Sequence, residues 1–331
     1  EEGDGRYDRA LHAIWDSITK RKMHISGGIG ARHDIEGFDV DYNLPNKAYL
    51  ETCAAIGLAF WNTEMNLVSL NSKYFDCFER SLYNNIIAAI GGDFKHFFYE
   101  NPLESDGTLR RWDWHGCPCC PPMLLKILSA LNSFIYSYDE NSVNVNMFIG
   151  SFYENDSFSI EQSDNKITLD SKGKKLTLRV RIPEYVTNFT ASLDYEIENG
   201  YAVFNTIWDK SKPLCIGYDT PIRRIYCNPK VQENIGKVAI TKGPFVMCAE
   251  GYDNSGNVDI EISQNPQFSI QGEFIYGKSL HPMSICFRHR FPFIVLCTML
   301  SACSTVSHLP TDEQLYIGTK SIIVTDATPS T

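Results

Sequence analysis

The sequence predicts an α+β chain of more than one domain, a helical first part followed by an all-β second part. Two observations carry this: up to residue 140 apolar residues recur at helical spacing, and after Asn141 they alternate with a period of two. A third supports it. Turn signals at Asp164-Asn165, Ser171-Lys172-Gly173, Glu198-Asn199-Gly200 and Lys242-Gly243-Pro244 punctuate the second part at intervals that suit an antiparallel β-sandwich. The 331 residues are enough for two domains, and 43% hydrophobic with 21% charged residues is ordinary globular material. A formal charge of −10 argues against a nucleic-acid partner, whose binders carry a basic face.

The first helix is expected over Tyr7 to Lys22, where Leu11, Ile14, Trp15 and Ile18 share one face. Ser26-Gly27-Gly28-Ile29-Gly30 follows; no strand pattern precedes it and no Lys-Ser/Thr follows, so it is not read as a phosphate loop. The loop from Ala31 to Lys47 carries Asp34, Glu36, Asp39 and Asp41, and loops of that length inside a domain are commonly functional. Tyr49 to Cys53 leads into Ala54–Trp61, a nearly continuous apolar run that reads as a buried helix. Tyr74–Ile90 and Met123–Tyr136 read as two more, separated by an aromatic and polar stretch, and no strand is expected before Asn141. Within that stretch Phe97-Phe98-Tyr99 and the pair Trp112 and Trp114 suit a core first and stacking on sugar rings second.

In the β part, Val143, Val145 and Met147 alternate with Asn144, Asn146 and Phe148, and Leu176, Leu178, Val180 and Ile182 with Thr177, Arg179 and Arg181. The expected boundaries are 1–140 for the helical domain, 141–255 for the β domain, and 256–282 for a linker or incomplete β segment. From Met283 the texture changes again. A short basic region, the apolar run Phe291–Leu300 and Leu300-Ser301-Ala302-Cys303 resemble a bacterial lipoprotein signal, so 283–331 are expected to be the start of a neighbouring protein; the alternative is a buried core element. The run is too short to span a bilayer, and no membrane contact is expected for residues 1–282. Glu1-Glu2-Gly3-Asp4-Gly5 has neither the basic start nor the apolar core of a signal peptide.

Eleven cysteines is an odd number with no regular framework, so free thiols in a reducing compartment, or thiols protected by a metal, are expected. Three of them fall in His115-Gly116-Cys117-Pro118-Cys119-Cys120-Pro121-Pro122. Proline suits the first turn of a helix, which places Cys119 and Cys120 at a helix entrance, where a thiol tends to ionise. Such a cluster is either buried structure, a metal site or a nucleophile. Glu51-x-Cys53 is a second half-site. Residues two apart point about 200° away from each other on a helix, so both ligate one ion only where the chain is just turning into helix. Three thiolates and a carboxylate suit Zn²⁺ in tetrahedral geometry. A metal-held thiolate that also reacts needs a proton donor for the leaving atom, and Glu36 is the best-placed candidate, with a solvated loop carboxylate as the alternative.

Gly27-Gly28-Ile29-Gly30, Glu36-Gly37-Phe38, Asp41 to Asn46, Tyr49-x-Glu51-Thr52-Cys53-Ala54 and Cys119-Cys120-Pro121-Pro122 resemble the β-L-arabinofuranosidases of glycoside hydrolase family 127. The resemblance continues through Arg223 to Val231 and Gly236 to Pro244, and covers about residues 6 to 255. It implies the C-terminal part of an (α/α)6 barrel followed by an antiparallel β-sandwich, and retaining hydrolysis of a carbohydrate substrate. Carried over to the matching positions, it implies Cys119 as nucleophile, Glu36 as acid/base, and Glu51, Cys53, Cys119 and Cys120 around zinc. A barrel of six helix pairs exceeds the four helices read here, so the sequence is expected to be a C-terminal stretch of such a hydrolase. Met123 replaces the family's usual Asn after the prolines, and the Asn46–Tyr49 segment is one residue short, both affecting local geometry. The implied setting is a bacterial cytoplasm or periplasm. The alternatives are a non-catalytic carbohydrate-binding remnant and a purely structural zinc site; the oligomeric state is not legible.

Overall fold

A computed structural model describes residues 5–256, 260–262, 267–271, 274–278, 284–288 and 319–320. The chain is α+β and divides into two units, one of Glu1–Ala55, Arg80–Pro121 and Ile222–Thr331, the other of Ile56–Glu79 and Pro122–Pro221.

The first unit opens on the helix Gly5–Arg21, with Asp8 in its first turn and Lys20 and Arg21 in its last, each opposing the helix dipole. Trp15 is its buried anchor. The glycine run then serves packing. Gly27 sits at φ +77°, and a Cβ there would lie 2.5 Å from the Ser81 nitrogen; a Cβ on Gly28 would lie 2.5 Å from Asn85 Nδ2. The helix expected to run unbroken over Tyr74–Ile90 is instead Ser72–Ser81, a π-helical turn at Leu82–Ile86, and Ile87–Ala89. Asn84 explains the insertion. Its amide donates to the Arg80 and Pro244 carbonyls at 2.9 Å and accepts from Val246 N–H at 2.7 Å, taking over backbone groups that a regular ladder leaves to itself.

A ribbon absent from the sequence reading pairs His96–Phe97 with Trp112–Asp113. Two residues per strand are too few to show alternation. The C-terminal part of this unit holds the sheet Ile222–Tyr226, Val238–Lys242, Phe245–Val246 and a second of Phe268–Gln271, Phe274–Lys278 and Ser284–Phe287. Val238, Ile240, Met247, Ala249, Ile260, Ile262, Ile275 and Phe287 form its core. The change of texture expected at Met283 therefore falls against a strand that pairs with Phe274–Lys278. Beyond Arg288 that expected tail lies outside the described residues, except Thr319–Lys320, which pair with Ala249–Glu250.

The second unit contains two five-stranded sheets. One has the order Glu196–Glu198, Tyr201–Ile207, Lys175–Arg181, Ser142–Val145, Tyr136–Tyr138; the other Ser151–Glu154, Ser159–Ser163, Lys166–Asp170, Leu214–Asp219, Thr187–Ala191. The alternation read over Leu176–Arg181 is present, with Leu176, Leu178 and Val180 buried. Asp164, Lys172 and Asn199 take positive φ at the turns that the sequence marks. Helix gives way to strand at Tyr136, earlier than the boundary at 140, because Tyr136–Tyr138 pairs with Val143–Val145. Arg181, 1% exposed, ion-pairs with Asp76 at 2.6 Å and Glu79 at 2.5 Å, and its Nε donates to the Asn146 carbonyl. No helix among the described residues is long and apolar enough to cross a membrane.

His24, 2% exposed, shares a hydrogen bond between Nε2 and the Pro45 carbonyl, and its Nδ1 has no partner. Burial pushes its pKa down to about 4 against that carbonyl's opposing pull. The unfolded imidazole titrates near 6.5, so its contribution is intact above that pH and is lost as pH falls toward 4. Acidification from pH 7 to 5 is expected to cost the first unit about 2 kcal/mol through this group. Urea melts of wild type and His24→Gln at the two pH values check it; equal acid sensitivity overturns it.

Candidate metal centre and active site

The centre is built where two helices begin. Leu50 takes φ +47°, Glu51 forms an extended bridge with Glu100, and the helix Thr52–Val68 starts one residue later. Glu51 is therefore still extended while Cys53 is already in the first helical turn, which lets both point to one place. The same device recurs on the other side. Cys119 lies in a bend and Cys120 opens the helix Cys120–Ala130, with Pro121 and Pro122 in its first turn. Two helix N-termini thus meet at the cluster and favour negative charge there.

The neighbouring strand segment is clamped beside Glu51. Thr52 donates through N–H to the Tyr99 carbonyl at 3.0 Å and through its hydroxyl to the Phe98 carbonyl at 2.6 Å, while Asn101 Nδ2 reaches the Thr52 hydroxyl at 2.8 Å. Phe97 and Phe98 point into the core, so Tyr99 is left facing the cluster.

One donor atom from each of Glu51, Cys53, Cys119 and Cys120 lies within 4.8 Å of all the others. Zinc with sulfur at about 2.3 Å and oxygen at about 2.0 Å sets tetrahedral edges of about 3.8 Å between sulfurs and about 3.5 Å from sulfur to oxygen. Cys119 and Cys120 Sγ are 3.8 Å apart, and Glu51 Oε1 is 3.6 Å from the first and 3.7 Å from the second. The Cys53–Cys120 edge is tighter at 3.2 Å, the separation of a hydrogen-bonded pair. The donor set therefore fits a tetrahedral dication. Without a cation it favours one thiolate: hydrogen bonding with Cys120 holds the Cys53 thiol low, burial pushes Cys119 up to about 12, and the bond to Cys53 pushes Cys120 up. Cys117 stands outside the four, with its sulfur 3.3 Å from that of Cys119.

Glu36 lies on the exposed tip of a tight turn closed by paired backbone bonds between Arg32 and Gly37 at 3.0 and 3.3 Å. Its φ of +49° is a left-handed conformation that costs a non-glycine residue about 1 kcal/mol. Tyr49 joins this turn to the cluster. Its hydroxyl donates to Glu51 Oε2 at 3.5 Å and interacts electrostatically with Tyr99 and Glu36, and burial above all raises its pKa. Tyr99 Oη is 3.9 Å from Cys119 Sγ, and its ring stacks on Trp112 at 4.9 Å and 19°. Trp112 is 44% exposed. The packing of Tyr49 against Tyr99 beside Glu51 and Cys119 was not legible in the sequence, where Tyr99 closes an aromatic triplet of uniform texture.

Two family models match the chain: the catalytic domain of glycoside hydrolase family 127 beta-L-arabinofuranosidases over residues 1–133, and the C-terminal domain of that family over 222–303. The non-reducing end beta-L-arabinofuranosidase of Bifidobacterium longum subsp. longum is 28% identical over 277 residues, which is 74% of this chain and 42% of that protein. Among solved structures, a GH127 beta-L-arabinofuranosidase from Geobacillus stearothermophilus T6 superposes with a TM-score of 0.80 at 29% identity, covering 88% of this chain and 55% of its own. The GH127 beta-arabinofuranosidase BT3674 gives 0.79 at 30%, covering 86% and 53%. The chain spans about half the length of these relatives.

Proposed function

The chain belongs to glycoside hydrolase family 127, and on that premise we propose that it is a retaining glycosidase acting on L-arabinofuranose-like sugars of plant glycans. The observation that carries this is the placement of the Cys119 sulfur within a four-donor set at the mouth of two helices. Its helices are read as part of an (α/α)6 barrel, and the two sheets between Tyr136 and Asp219 as a β-sandwich.

Glu51, Cys53, Cys119 and Cys120 would hold zinc, which when bound keeps the thiols deprotonated at neutral pH. The Cys119 sulfur attacks the anomeric carbon as the bond to the leaving oxygen breaks, and Glu36 gives that oxygen its proton. Glu36 then takes a proton from water, whose oxygen attacks the same carbon while the carbon–sulfur bond breaks. Two inversions give retention. Tyr49, whose hydroxyl donates to Glu51 and interacts electrostatically with Glu36, couples the acid to the cluster.

The test joins metal analysis to trapping. The reduced protein is expected to hold one zinc per chain and to take an arabinofuranosyl electrophile at Cys119, read by peptide mass spectrometry. Zinc without labelling would mark a structural site; neither would leave a carbohydrate-binding remnant.

A further inference from the structure

Cys117 is the sulfur of the motif that the four-donor set leaves over. We propose that it is the reserve ligand of the metal centre, taking the coordination position of Cys119 while the Cys119 sulfur is bonded to carbon. This rests on the zinc reading above.

The chemistry of the nucleophile creates the need. Once Cys119 has formed its carbon–sulfur bond it is a neutral thioether, a far weaker donor to zinc than a thiolate, and the tetrahedral set is one ligand short. The geometry supplies the replacement. Cys117 Sγ lies 3.3 Å from Cys119 Sγ, in contact with the sulfur whose place it would take. Cys117 is 8% exposed whereas Cys119 is exposed, so the substitution comes from the protein side while Cys119 keeps the open side for the sugar. Tyr99 Oη, at 3.9 Å from Cys119, is a harder and poorer donor for a thiolate-rich ion.

The backbone permits the move. Cys117, Pro118 and Cys119 precede the helix that starts at Cys120, so rotating the Cys117 side chain inward breaks no helical hydrogen bond. Pro118 has no N–H to lose, and the bond from Gly116 N–H to the Asp113 carbonyl at 2.7 Å anchors the segment upstream. The exchange transfers no electrons: the Cys117 thiol releases its proton to solvent as its sulfur binds, and regains it when water cleaves the carbon–sulfur bond and Cys119 returns as thiolate.

Cobalt(II) in place of zinc reads the number of bound thiolates from its sulfur-to-metal charge-transfer absorbance. Wild type and Cys117→Ala are expected to show the same three-thiolate intensity at rest. Cys119→Ala is expected to keep that intensity, because Cys117 moves in, whereas Cys117→Ala with Cys119→Ala falls to about two-thirds of it and binds cobalt at least about tenfold more weakly. Wild type labelled at Cys119 by the arabinofuranosyl electrophile gives the same reading without a substitution, and should also keep three thiolates. A drop to two thiolates in Cys119→Ala or in the labelled protein overturns the proposal. A wild type without a three-thiolate spectrum overturns the metal-centre reading instead.

Discussion

Replacing Cys120 with alanine is expected to lower zinc affinity at least about 100-fold, more than the 10–100-fold that loss of a mere supporting group costs. Cys120 has no exposed surface, and its sulfur is the shared vertex of the cluster, 3.2 Å from Cys53, 3.8 Å from Cys119 and 3.7 Å from Glu51. Alanine at that position leaves three donors and a sealed void. A bound metal would also stabilise the fold that gathers these donors, because Glu51 with Cys53 and Cys119 with Cys120 come from segments far apart in sequence. The loss should therefore appear twice, as zinc per chain after dialysis and as a lower melting temperature of the zinc-loaded protein. Cys77→Ala, which removes a buried thiol outside the cluster, is the control. Equal zinc retention in the two variants would exclude Cys120 as a ligand.

The four-donor cluster was legible in the sequence to the extent that adjacent cysteines before a double proline announce a helix entrance. Glu51 and Cys53 were less so: their joint use depends on the helix starting at Thr52, and that start is fixed by tertiary hydrogen bonds from Thr52 to the Phe98 and Tyr99 carbonyls and from Asn101 to the Thr52 hydroxyl. The spacing marks the pair as a half-site but does not say where the helix begins, and the assignment of all four residues to zinc came only as an implication of the family resemblance. Where local chemistry decides the conformation, the reading succeeded. Asp164, Asn199 and Gly200 adopt the positive φ that their turns require, and the strands between such turns alternate as read. Where a distant partner decides it, the reading had nothing to use. Asn84 sits in an apolar run that looks like uninterrupted helix, and only its bonds to Pro244 and Val246, some 160 residues away, reveal the π-turn. The domain boundaries met the same limit, since a change of texture along the chain does not report that Ile222 onward shares a unit with the first residues.

Arg181→Ala is expected to destabilise the second unit by about 3–5 kcal/mol, because it strands two carboxylates in the core. Arg181 is 1% exposed between Asp76 and Glu79, themselves almost wholly buried, and burial holds the Asp76 carboxyl up at about 6 even beside the guanidinium. That upward shift shows desolvation outweighing attraction at Asp76, so the cation there offsets a burial cost more than it adds net stability. The consequence separates two explanations of the triad. If the loss comes from uncompensated charge, neutralising all three members restores it: Arg181→Met with Asp76→Asn and Glu79→Gln keeps acceptors for the Glu184 N–H and the Tyr185 hydroxyl, which now bond to Asp76 and Glu79. That triple variant should recover more than half of the stability lost by Arg181→Ala. Urea unfolding at pH 7 measures both, and a triple variant no more stable than the single one would show that the ion pairs themselves hold the unit together.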